Sequence, residues 1–203
     1  MSVINLKKGS SLDLSKDGKS LKSISIGVNW GKITKKSGGL FGIGASTSQE
    51  AVDLDASVAT FDESGKNLDI VYYGRKTGAN GSIKHSGDDR SGDSSADDTD
   101  NETININLES MPANVKSMVF FLNSFQGHKF DKIPYSRIRV LENGAPLAKF
   151  DLSAEDKFAG KTSMILGKAV RSGDIWKFIA IGEASSTSKI DETVNEIKST
   201  YLN

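Results

Sequence analysis

The chain of 203 residues has no cysteine, which excludes disulfides, thiol nucleophiles and cysteine-ligated zinc and fits a cytoplasmic protein. Histidine is nearly absent too. His85 and His128 are the whole supply, and neither sits in a His–carboxylate metal motif or near a serine elbow, so the chain reads as non-catalytic. No apolar run reaches the length of a membrane span, and residues 1–11 are polar, without the apolar stretch of a secretory signal. Proline is scarce at 3 residues while glycine is frequent at 20, and apolar residues make up 36%. That balance suits many strands and turns rather than long helices. Net charge is zero, which removes a global electrostatic argument for nucleic-acid binding. A length near 200 residues fits one domain able to bury a core.

The neutral total hides two poles. Residues 1–36 carry a net +6, and residues 85–102, HSGDDRSGDSSADDTDNE, carry −6. The acidic stretch holds Asp88, Asp89, Asp93, Asp97, Asp98, Asp100 and Glu102 against Arg90 alone, with no apolar side chain larger than Ala96. Two carboxylates about 4 Å apart repel by ~1 kcal/mol in bulk water and ~4 kcal/mol at an effective dielectric near 20. Such a stretch is either loose and solvated, or compacted around a hard cation with oxygen ligands, calcium above all. It lacks the EF-hand pattern, so a cation site here must be built by loops at a sheet edge. In residues 52–56, VDLDA, the two-residue period puts Asp53 and Asp55 on one face and Leu54 and Ala56 toward the core. Two carboxylates on one face near a strand start ask for positive charge between them. Asp69 is a third candidate.

The alternation of Ile24, Ile26, Val28 and Trp30 with polar or small residues predicts a half-buried strand over residues 21–30. Further strands are predicted around Leu12 and Leu14, over 52–61, 68–73, 82–85 and 102–108, and over 137–141, 147–152, 163–170 and 175–181. Residues 115–125 are apolar on both faces, through Met118, Phe120 and Leu122 on one and Val119 and Phe121 on the other, which predicts a strand covered on both sides. Asn143-Gly144 and residues 171–174 mark hairpin turns. About ten short strands imply an all-β fold, a two-sheet β-sandwich of mostly antiparallel strands. Ile190, Val194, Ile197 and Tyr201 recur at helical spacing, so residues 185–203 are expected to form an amphipathic C-terminal helix beside a sandwich spanning 1–184. Residues 32–49 read as a basic and Gly-rich flexible insert. Within it Gly39, Gly44 and Ser46 imitate a phosphate-binding loop without its lysine, which leaves no case for a triphosphate site. Leu40, Phe41 and Ile43 beside Lys32, Lys35 and Lys36 suit a weak contact with a partner protein or an anionic membrane surface.

Several ordered segments together resemble the TerD family of tellurium-resistance and stress proteins: INLKKGSSLDLSK at 4–16, GVNWG at 27–31, VDLDAS at 52–57, DIVYYG at 69–74, SIKHSGDDRSG at 82–92, DNE at 100–102, IRVLENGAPLAKFDLS at 138–153 and WKFIAIGE at 176–183. The resemblance implies a calcium-binding β-sandwich. Carried over by matching motif, it implies Asp53, Asp55, Asp88, Asp100 and Glu102 as ligands, with Asp98 added from the middle of the acidic stretch. That middle is about two residues longer than in the family's pattern and poorer in glycine, and Asn101 stands where an aspartate is usual. The implied role is a non-catalytic, calcium-binding module of a bacterial tellurite and stress-resistance system, working with other stress-resistance proteins. The rival expectation is a calcium-independent scaffold acting through the insert and the C-terminal helix.

Overall fold

A computed structural model describes residues 3–38, 46–153 and 158–202. In chain order the strands are β1 (Ile4–Asn5), β2 (Ser11–Lys16), β3 (Lys19–Ser20), β4 (Ser23–Trp30), β5 (Ile33–Ser37), β6 (Ser46–Glu50), β7 (Leu54–Phe61) and β8 (Asn67–Val71). They continue as β9 (Thr77–Gly78), β10 (Ile83–His85), β11 (Glu102–Asn107), β12 (Ser117–Ser124), β13 (Tyr135–Glu142), β14 (Ala145–Ser153), β15 (Ser163–Ser172) and β16 (Ile175–Ser185), followed by one helix, α1 (Ile190–Thr200). One sheet has the order β1-β14-β13-β4-β11-β10-β9 and the other β3-β2-β16-β15-β12-β7-β8. The β1–β14 pairing is parallel; the other pairings within these sheets are antiparallel. The expected two-sheet sandwich with a short C-terminal helix is therefore what forms.

Alternation explains the core. In β4 the side chains of Ile24, Ile26, Val28 and Trp30 are all buried. Ile26 lies opposite Ile104 of β11 on one side and Val140 of β13 on the other, so branched side chains form rows across three strands. The second sheet meets these rows with Val58, Met118, Phe120, Leu122 and Phe178. The other face of β12 is buried as well, as its two-sided apolar pattern requires. Val119 and Phe121 join Ala59, Phe61, Ile165, Val194 and Ile197 in a second cluster under α1, with Ile190 and Tyr201 packed against it. The helix starts with Asp191 and Glu192 and ends near Lys198, charges that suit its dipole. The turn between β13 and β14 is made by Asn143 and Gly144, both at positive φ (50° and 79°), the conformation a two-residue hairpin demands.

The polar stretch after β4 departs from the expected loop. Residues 33–37 and 46–50 pair in register from Ile33↔Glu50 to Ser37↔Ser46 as an exposed antiparallel hairpin, and Lys35 reaches Glu50 at 2.8 Å. Both of its faces are polar, so no alternation announces it. The suggested apolar contact residues Leu40, Phe41 and Ile43, and the glycines between them, lie outside the described residues.

Ile197 is fully buried between α1 and the sheet. Truncation to alanine should cost about 2–4 kcal/mol from lost burial and the cavity left behind, read as a lower urea midpoint with an unchanged slope.

Candidate metal centre

Asp53 precedes β7, Asp55 is its second residue, and Asp88 follows β10. One carboxylate oxygen from each lies within 4.8 Å of the others. Asp53 and Asp55 are buried, at 2% and 4% exposure. The backbone holds them there from several sides. The indole Nε1 of Trp30 donates to the Val52 carbonyl at 2.8 Å, and the Val52 N–H donates to the Ser91 carbonyl at 2.9 Å. Phe125 donates its N–H to the Asp53 carbonyl at 3.1 Å, and the β7–β12 register sets Asp55 opposite Asn123. A buried tryptophan thus fastens the aspartate pair to the acidic segment.

Charge is poorly compensated inside this group. Arg90 stands 3.9 Å from Asp53, with a side chain 72% exposed. Asp53 Oδ1 is buried with no hydrogen-bond partner. Burial, and then the neighbouring charges of Asp53, Glu102 and Asp88, push the Asp55 carboxyl up to about 7. Burial and Asp88 also raise Asp53, against the pull of Arg90 and of a hydrogen bond from the Gln126 side chain. Tyr73 beside them is raised by burial and by the charges of Asp55 and Asp88.

Glu102 is fully buried next to the group but already engaged. Its Oε2 accepts the Ala56 N–H at 2.8 Å and its Oε1 the Asp89 N–H at 3.1 Å. His85 stands 3.4 Å from Oε2, accepts the Gly87 N–H on Nδ1 at 3.1 Å and contacts the Ala56 carbonyl through Nε2 at 3.0 Å. It braces the mouth of the acidic stretch.

The other carboxylates are directed elsewhere. Asp98 is 91% exposed and 3.5 Å from Arg137. Asp100 pairs with Arg139 Nε at 2.8 Å and lies across Gly27 of β4, where a Cβ would collide with it. Asp69 accepts the Ala79 N–H at 2.8 Å and pairs with Arg75 at 2.7 Å. Of the expected ligands, the structure gathers Asp53, Asp55 and Asp88, puts Glu102 alongside, and turns Asp98 and Asp100 toward arginines. A second knot was missed at the sequence level. Asn101 Nδ2 donates to Asp89 at 2.9 Å and Asp93 at 3.1 Å, and its Oδ1 accepts the Trp30 N–H at 2.8 Å. Asn29 Nδ2 donates to Asp93 at 2.5 Å. Asp89 also accepts from Ser91 and Gly92, and although burial opposes it, these bonds and that from Asn101 hold its carboxyl below the usual range. An asparagine within an acidic run was the available signal.

The raised Asp55 fixes a pH dependence. Its folded form binds protons more tightly than the unfolded chain, so its contribution to stability is complete below the unfolded value of about 3.8 and is lost as pH rises through about 7. In chelator, the melting temperature should fall between pH 5 and pH 8, and Asp55→Asn should flatten that slope. A slope unaffected by the substitution would exclude Asp55 as its source.

Comparison with known proteins identifies the family. The TerD domain matches residues 1–196. Tellurium resistance protein TerZ of Serratia marcescens is 31% identical over 203 residues, covering 98% of this chain and 100% of that protein. Stress response protein SCP2 of Bacillus subtilis (strain 168) is 32% identical over 202 residues, with 95% and 98% covered. A solved homologue of telluride resistance protein (TerD) from Streptomyces coelicolor A3(2) superposes at a TM-score of 0.65 over 88% of this chain and 98% of its own, with 15% identity, a likeness of fold alone. With a domain match across nearly its whole length and relatives of the same extent, the chain belongs to the TerD family.

Proposed function

We propose that the protein is a cytoplasmic, non-catalytic calcium-binding module of a tellurium and stress-resistance system, with Asp53, Asp55 and Asp88 as the cation's ligands. The observation that carries this reading is the buried Asp53 Oδ1 without a partner, set in a group of three carboxylates with one exposed arginine nearby. An all-oxygen donor set with neither nitrogen nor sulfur suits a hard cation. Family membership and the names of the relatives support the stress-resistance setting.

Calcium would supply charge compensation, and the chain does the rest. Asp53 and Asp55 stand on the start of β7 and Asp88 on the acidic segment, so a common ligand ties the two together. Glu102 keeps its backbone bonds and positions both. The Asp89–Asp93 knot already has amide donors on its carboxylates, so a second ion there would have to displace them. One tight site is the reading that follows. Neither histidine is set up as a base on a nucleophile: His85 is committed to Gly87 and Ala56, and His128 faces Glu50 at 3.8 Å. Of the two elements of the rival scaffold, the helix already spends Val194 and Ile197 on the sheet, and the apolar residues of the insert lie outside the described residues.

Calorimetric titration should give one tight calcium equivalent per chain, and calcium at about 100 times its Kd should add about 2.7 kcal/mol of stability. Asp53→Asn or Asp88→Asn should abolish both effects while raising the melting temperature of the calcium-free protein, because like charge is removed. No heat of binding and no thermal shift in the parent protein would refute the proposal.

The asparagine knot makes a separate demand. Asn101→Asp replaces two donated bonds by a third carboxylate against Asp89 and Asp93. It should lower stability in chelator and create a calcium requirement, or a second equivalent, that the parent protein lacks. An unchanged titration and melting temperature would show that Asn101 does not neutralise this knot.

A further inference from the structure

The carboxylate group opens into a cleft that its own chemistry does not account for. A cavity of about 190 Å³ lies over Asp53, Asp55 and Asp88. A second, of about 400 Å³, runs from Asp55 to the start of α1. The two share Asp55, Tyr73 and Phe125, and the larger falls in the range of small-molecule sites. We propose that this cleft binds a small ligand that joins a flat ring to a phosphate or carboxylate, its oxyanion completing the coordination of the bound cation and its ring lying against Tyr73 and Phe125. The inference rests on the cation assignment above.

Three features point to such a ligand. The first is aromatic. Tyr72, Tyr73 and Phe125 meet edge to face, with centroids 5.5 Å and 6.3 Å apart and planes at 86° and 85°. Phe125 is 64% exposed, although its backbone is fixed by the bond to Asp53. A rigid, half-open aromatic wall offers stacking area at little ordering cost. The second is polar. Asn123, 3% exposed, lines the larger cavity, and its Oδ1 is buried with no hydrogen-bond partner while Nδ2 donates to Thr193 at 3.0 Å. An unpartnered carbonyl calls for a donor, which a ring N–H, amino or hydroxyl group supplies. The third is charge. It comes from the carboxylate end, because the far wall, the start of the 11-residue helix α1, sets Lys189 beside Asp191 and so has no excess charge to draw an anion away. Without a cation the carboxylates would repel an anion. With one, three carboxylates leave coordination positions that an oxyanion can fill. Binding is therefore strictly cation-dependent.

The test is titration of the calcium-saturated protein with 4-aminophenyl phosphate, with 4-aminobenzoate and with inorganic phosphate. At least one ring compound should bind tenfold or more tightly than inorganic phosphate, and which one does so identifies the oxyanion. Chelation should abolish the binding, and Phe125→Ala should reduce it tenfold or more. Calcium titration of that variant reports whether the cation site is intact, so a misfolded variant is recognised. Equal affinity for inorganic phosphate, ring binding that survives chelator, or a Phe125→Ala protein that binds calcium and ring alike would overturn the inference. Calcium binding with no response to any of the three compounds sinks this inference alone. No calcium binding sinks the cation assignment and this inference with it.

Discussion

Like-charge repulsion at one end of the sandwich is the constraint around which the remaining contacts are arranged. Asp53, Asp55 and Asp88 bring an oxygen each within 4.8 Å of one another, and two of the three are almost wholly removed from water. Left to themselves such groups separate or take up protons. Here the scaffold does not let them separate. Trp30 clamps Val52, Phe125 clamps Asp53, and Glu102 bonds the backbone of Ala56 on one side and of Asp89 on the other. Buried hydrogen bonds to a carboxylate are among the stronger local restraints a protein has, and Glu102 spends two of them on holding like charges together. Repulsion maintained at that cost leaves a group that could hold a metal ion.

Comparison among the carboxylates sharpens the point. Asp98 and Asp100 have Arg137 and Arg139, Asp69 has Arg75, and Asp89 and Asp93 have the amides of Asn29 and Asn101. Each of these uses protein donors to offset charge, by ion pairing in the first cases and by neutral amides in the last. The Asp53, Asp55 and Asp88 group has Arg90 at the edge of contact, the Gln126 side chain on Asp53, and one oxygen with nothing. One acidic stretch thus contains carboxylates of two kinds, and composition alone cannot separate them. Partners do.

Legibility followed the physics of each signal. Strands with one buried face advertise themselves by period two, and β12, covered on both sides, by an unbroken apolar run. The same period set Asp53 and Asp55 on one face. The β5–β6 hairpin was invisible because Thr34, Lys35, Thr47 and Gln49 carry no apolar alternation, and strands of two residues such as β1 and β9 are too short to show any. The fate of Asp98 and Asp100 was hidden for a different reason. Their arginines lie 39 residues away in sequence, and only the β4–β13 pairing brings that strand across the acidic segment. The order of the segment's middle was likewise unreadable, since it depends on Asn29, an unremarkable position in an amphipathic strand.

The position of the group also decides what its neutralisation can reach. Asp55 is the second residue of β7, and the same strand carries Ala59 and Phe61 beneath α1. Opposite Asp55, Asn123 donates to Thr193, whose hydroxyl contacts Thr187 at 2.7 Å and, through it, Ser163 of β15 at 2.6 Å. A chain of polar contacts therefore runs from Asn123, the cross-strand neighbour of Asp55, to the helix and to β15. Charge relief at Asp55 acts on the end of β7 rather than on a free loop, and β7 is paired in register with β12 from Leu54 to Phe61. A packed strand transmits a change at its end by shifting as a unit more readily than by bending, because the core on both faces resists local gaps.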